Sequence, residues 1–214
     1  MFRRTFSYLL VALLLAACQM LPPIAPPHGT PTDSRLTESA PVAVEPATRA
    51  ASPSLDGAMV PGVYDHQMEV AGVSLSWSNS DQVLYLAAAC REERWLGIGL
   101  AGQEGLQGAN LLIAARRQGR LSVWDGWCED AAGTLCSADV DLGGSDDRRG
   151  SSSFLLRGGV MMEVRIPLDS GDRYDNPLVP GGTYPVVIAT GRDLEFALPP
   201  AQMETVTITL DGSQ

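Results

Sequence analysis

Few side chains in this sequence could do chemistry, and their types and spacing limit what that chemistry could be. Asp169, Asp172 and Asp175 recur every third residue in the run Asp169-Ser170-Gly171-Asp172-Arg173-Tyr174-Asp175, a spacing of oxygen donors that a Ca²⁺ loop could use. The same run has a simpler structural explanation. Pro167 ends a strand, Ser170-Gly171-Asp172 turns the chain, and Asp172 and Asp175 accept backbone N–H groups or pair with Arg165. We expect the structural role and assign no metal site. Only two histidines occur, His28 and His66, so a Ser/His/Asp triad or a histidine-rich metal centre would have to use one of them. All 15 basic residues are arginine, which excludes a Schiff-base lysine and a P-loop lysine. There is no Cys-x-x-Cys pair, no phosphate loop and no nucleophile–base pair, so an enzyme is not expected. The net charge of −10 also disfavours nucleic acid, because phosphate contacts need a basic stripe.

Cys18 is different, because its surroundings suggest modification. Arg3 and Arg4 precede a short apolar run from Phe6 to Leu15, too short to span roughly 30 Å of hydrocarbon as a stable helix. The run ends in Leu15-Ala16-Ala17-Cys18, which resembles the lipobox of bacterial lipoproteins. That resemblance implies a signal peptide over residues 1–17 and a diacylated Cys18 as the first mature residue. The plainer alternative is a secretory signal with an incidental cysteine. Gln19 follows the cysteine where an inner-membrane lipoprotein would carry Asp, which implies an outer-membrane, extracytoplasmic location on the periplasmic or surface face.

The elements that position any site come next along the chain. Residues 18–56 are rich in Pro, Ala, Thr and Ser and have no period, so they form a disordered, extended tether that includes His28. Residues 57–214 change to short apolar runs cut by turns. Val73–Trp77, Val83–Ala87, Trp95–Leu100, Ala109–Ala114, Leu121–Trp124, Ser153–Leu156, Val160–Ile166, Tyr184–Ala189 and Thr205–Leu210 are strand-like, with His66 ahead of the first. No long 3.6-residue period interrupts them. The fold class expected is all-β, an antiparallel, immunoglobulin-like β-sandwich behind a signal peptide and tether.

Three of these stretches resemble the DOMON domain, a β-sandwich of cytochrome and sugar-binding modules. They are Trp95-Leu96-Gly97-Ile98-Gly99-Leu100, the turn and strand Gly105-Leu106-Gln107-Gly108-Ala109-Asn110-Leu111-Leu112-Ile113-Ala114, and Val164-Arg165-Ile166-Pro167-Leu168-Asp169-Ser170-Gly171-Asp172-Arg173-Tyr174-Asp175. Val187-Ile188-Ala189-Thr190-Gly191 adds a fourth in family order.

Many DOMON domains hold a b-type haem between a methionine and a histidine. The resemblance places Leu106 at the methionine and Leu198, within a residue or two, near the histidine. Leucine has no lone pair for iron, and no histidine follows His66. Substitute donors would be His66, Met68, Cys90, Met161, Met162 or Met203. We therefore expect no haem. The function expected is a membrane-anchored binding module for a small ligand, a glycan or a periplasmic protein, with an atypical b-type cytochrome as the alternative. The pocket candidates are Trp95, Leu106, Asn110, Trp124 and Leu198, with Trp127 as a further stacking surface and Asp125 as a polar partner. The oxidising compartment and the short separation favour a Cys128–Cys136 disulfide, which leaves Cys90 as a free thiol.

Overall fold

The computed structural model describes residues 52–59 and 62–213. The expected signal peptide, Cys18 and the tether up to residue 51 lie outside them.

The described chain forms eleven strands and one 3₁₀ turn, η1 (Asp139–Leu142). Five strands make one antiparallel sheet in the order β1 (His66–Val70), β2 (Val73–Asn79), β3 (Val83–Cys90), β9 (Gly159–Pro167), β8 (Gly150–Leu156). Six make the other, in the order β11 (Gln202–Thr209), β10 (Thr183–Thr190), β4 (Leu96–Leu100), β5 (Asn110–Arg117), β6 (Arg120–Cys128), β7 (Cys136–Ala138). The expected β-sandwich is present. Successive strand residues point to opposite faces, and one parity from each sheet fills the space between them. Leu75 and Trp77, Leu84 and Leu86, Ile98, Leu112, Met162, Val164 and Ile188 belong to that buried layer.

Two strands escape a sequence reading, for different reasons. His66 does not precede the first strand but opens it, at the edge of the five-stranded sheet, where it pairs with Trp77. The β1–β2 turn is Ala71-Gly72, with both residues at positive φ (49° and 80°). A two-residue hairpin needs that geometry and usually advertises it with Asn-Gly or Asp-Gly, which Ala71 does not. β7 has only three residues, too few for alternation to be visible.

The domain also begins earlier than residue 57. The Tyr85 hydroxyl donates to Ser52 Oγ at 3.1 Å, Ser152 Oγ donates to the Leu55 carbonyl at 2.9 Å, and the Gly57 N–H donates to buried Glu163 at 2.6 Å. The last residues read as tether are hydrogen-bonded along the five-stranded sheet.

Candidate functional site

The six-stranded sheet carries a second apolar layer on the face turned away from the main core. Trp95, Leu111, Ile113, Ala115, Trp124, Cys128, Val187 and Ala189 form it, with Leu106 and Phe196 laid on top. Three of the pocket candidates meet here, and their packing leaves them little access. Phe196 sits between the two indoles, 5.5 Å from Trp95 and 4.8 Å from Trp124 in an edge-on contact. The Arg117 guanidinium covers Trp124 at 5.0 Å. Trp95 is 2% exposed and Trp124 7%. In this arrangement neither indole is an open platform for a sugar ring. Gly126 and Gly191 leave room for the indoles, since a Cβ at either position would collide with Trp124 or Trp95.

Leu106 is held tightly. A Cβ on Gly99 of β4 would lie 2.7 Å from its Cδ2, and one on Gly133 would lie 2.7 Å from its Cδ1. Gly133 also backs onto the Pro200 ring, so the 129–135 loop fills the space between Leu106 and the 198–200 segment. The Cys128–Cys136 disulfide closes that loop at its base, with Cα atoms 4.1 Å apart, and Cys90 is a free buried thiol, as expected. Asp130 braces the loop from inside by accepting the Thr134 and Leu135 N–H groups. Leu198 is half-buried beside a depression of about 220 Å³ lined in part by Trp95, Arg192, Glu195 and Pro200. That is smaller than the roughly 300–1,000 Å³ of ordinary small-molecule sites.

The substitute iron donors do not converge on this face. His66, Met68, Cys90, Met161 and Met162 all lie on the five-stranded sheet. His66 is committed there to Asp211 at 3.0 Å and is stacked on Trp77. Met203 is on β11, paired with Ala189 of the outer layer, at 39% exposed.

Asn110 and Asp125 do not join the indoles. Strand alternation puts Val123 and Asp125 on the inner face and Trp124 on the outer one, and Asn110 shares the inner face with Leu112. Asp125 instead meets Asp139, the first residue of η1, and Asp175 of the β9–β10 crossover, with one carboxylate oxygen of each within 4.8 Å of the others. Burial, with the Asp175 carboxylate beside it, pushes Asp125 up to about 7. Burial and the Asp125 charge push Asp139 up to about 8, and burial raises Asp175 as well.

The other two aspartates of the three-residue repeat stay structural. Asp169 accepts the Gly171 N–H, and Asp172 accepts the Tyr174 and Ser145 N–H groups, which hold its carboxyl below the usual range. Trp127 is half-buried, edge-on to Tyr174 beside this rim rather than on the outer face. Phe196 and Asp139 were not foreseen. Phe196 sits in a stretch with no period, and Asp139 is joined to its partners only by the crossovers.

These features define a two-sheet antiparallel module with a closed apolar outer face and an acidic rim. The DOMON domain model matches residues 70–191, more than half of the chain, and the chain belongs to that family. Among solved structures the chain is similar to the cytochrome domain of cellobiose dehydrogenase from Myriococcum thermophilum (11% identity, 68% of this chain and 81% of that one, TM-score 0.47). It is similar also to the cytochrome b domain of pyranose dehydrogenase from Coprinopsis cinerea (10%, 64% and 76%, TM-score 0.46). A third is a family 9 carbohydrate-binding module from Caldicellulosiruptor kristjanssonii in complex with glucose (13%, 77% and 94%, TM-score 0.44). A comparison with curated proteins returned no match.

Proposed function

We propose that this DOMON domain is a haem-free binding module without catalytic activity, carried outside the inner membrane by lipid on Cys18. It holds a small ligand, a glycan or a protein partner rather than passing electrons. The observation that carries the reading is the packing of Leu106. The position that the family resemblance gives to a haem methionine holds an apolar side chain wedged between Gly99 and Gly133, with a disulfide-closed loop over it. The residues present do not fit an axially ligated haem there, because the available nitrogen and thiol donors sit on the other sheet. Recognition would then use the rim of the Leu198 depression, where Arg192 and Glu195 supply polar groups beside an apolar floor.

The test is an absorbance titration of the purified protein with hemin, followed by dithionite. The expected spectrum is that of free or weakly adsorbed hemin. Sharp α and β bands of six-coordinate low-spin haem, lost on substituting His66 or Met203, would replace this reading with the cytochrome one. The anchor is tested separately by mass spectrometry of the mature N-terminus. An unmodified Cys18 with cleavage elsewhere would remove the membrane from the account.

A further inference from the structure

The acidic rim has a feature that its turn chemistry leaves unexplained. Asp139 is 1% exposed, yet neither of its carboxylate oxygens has a hydrogen-bond partner. Asp125 is 4% exposed, and its Oδ2 accepts the Asp147 N–H at 3.2 Å while Oδ1 has no partner. Asp175 Oδ1 is likewise unpartnered. Three separate chain segments therefore bring one carboxylate oxygen each within 4.8 Å of the others, and four oxygens of the trio have no partner. A further buried, unpartnered oxygen, Asn110 Oδ1, lies on the same sheet face, two residues along the strand beside Asp125.

Buried polar groups are normally satisfied, and a buried carboxylate without a partner is costly. The nearby cations relieve this one only in part, Arg148 through its charge near Asp125. Arg148 is committed to Asp146, the Val123 carbonyl and Ser151, and Arg173 to the Leu142 carbonyl and the Tyr174 ring. Asp147 and Asp172 add negative charge around the trio.

We infer that Asp125, Asp139 and Asp175 form a binding site for a divalent cation of the calcium class. The donors are oxygens only, with no imidazole or thiolate, which disfavours zinc, copper and nickel. Three converging carboxylates, two buried and one half-buried, suit Ca²⁺, which accepts six to eight oxygens in flexible geometry. Mg²⁺ keeps several waters and resists such cages. The ion adds to the hydrogen bonds that already join three elements here: β6, the η1 crossover leading to β8, and the crossover from β9 to β10. The inference is independent of what the module binds elsewhere.

Calorimetric titration of the chelator-treated full chain with CaCl₂ tests it. One calcium should bind per chain, with MgCl₂ binding at least tenfold more weakly. Asp139→Asn should lower calcium affinity at least tenfold while remaining folded in chelator, since it removes a charge and keeps the shape. Asp125→Asn should do the same, and serves if Asp139→Asn fails to fold. Asp169→Asn, outside the trio, should leave the affinity unchanged. Absence of calcium binding to the wild-type chain would overturn the inference and leave a trio of shared protons. Full-affinity binding by both trio variants would also overturn it.

Discussion

Trp124 and Asp125 are consecutive residues of β6, yet they serve regions that contrast in almost every respect. Trp124 faces outward into a layer where every ring has a neighbour and Leu106 touches glycine on two sides. Asp125 faces inward to a rim where four buried oxygens have none. The outer layer is complete as it stands, while at the rim carboxylates outnumber the cations that reach them. On the outer side the 129–135 loop is closed by side-chain volume, with Leu106 packed between Gly99 and Gly133. One residue away along the same strand, Asp125 meets the carboxylates of Asp139 and Asp175, the trio assigned to a cation.

The largest expected effect comes from opening the complete side. Trp95→Ala removes a buried indole that touches Phe196 and should cost about 3–5 kcal/mol in urea denaturation, as large aromatic truncations do. A loss under about 0.5 kcal/mol, usual for exposed positions, would mean that Trp95 is an open platform and that the contrast is wrong. Replacing Cys128 and Cys136 together with Ser frees the loop over Leu106. The eight-residue separation implies a loss of roughly 2–3 kcal/mol by loop-closure entropy. Unchanged stability would show that the loop is held by Asp130 and the Leu106 contact alone.

The rim gives a prediction in pH. In the metal-free protein Asp125 and Asp139 are raised to about 7 and about 8, above an unfolded value near 4. A raised carboxyl favours the fold while it is protonated. That stability is complete below about pH 4 and is lost as pH rises through about 7 and 8. The urea midpoint in chelator should therefore fall between pH 5 and pH 8.5, and Asp139→Asn should flatten the slope. Equal slopes for wild type and variant would show that the rim carries no buried charge. The smallest effect belongs to Leu106→Met. A volume-conserving swap should cost less than about 1.5 kcal/mol and confer no haem binding, because the opposite ligand is still absent. A haem spectrum from that single change would show that the outer face opens more readily than its packing implies.

Much of the fold was legible in sequence because antiparallel strands print their alternation directly. Val73–Trp77, Val160–Ile166 and Tyr184–Ala189 all lie within strands of the sandwich. Cys128 and Cys136 were close enough in the chain for their pairing to be read. The hairpin at Ala71-Gly72 was hidden because alanine rarely takes positive φ, and β7 because three residues show no period. The sites were harder. Trp95, Leu106 and Trp124 were named as neighbours and are neighbours, but nothing local shows that Phe196 lies over them. Asn110 and Asp125 sit near the indoles in sequence, but strand parity puts them on the other face. The trio of carboxylates joins a strand, a 3₁₀ turn and a crossover, and no spacing in the chain encodes that meeting.

The contrast between the two faces is tested most directly by thermal unfolding of one preparation in chelator, in millimolar calcium and in equimolar hemin. The account predicts a midpoint raised by several degrees in calcium, on the order of 5 °C for about 2 kcal/mol of binding linkage in a domain of this size, and no shift in hemin. A midpoint raised by hemin and indifferent to calcium would contradict it, since the outer face would then be the open site and the rim the finished one.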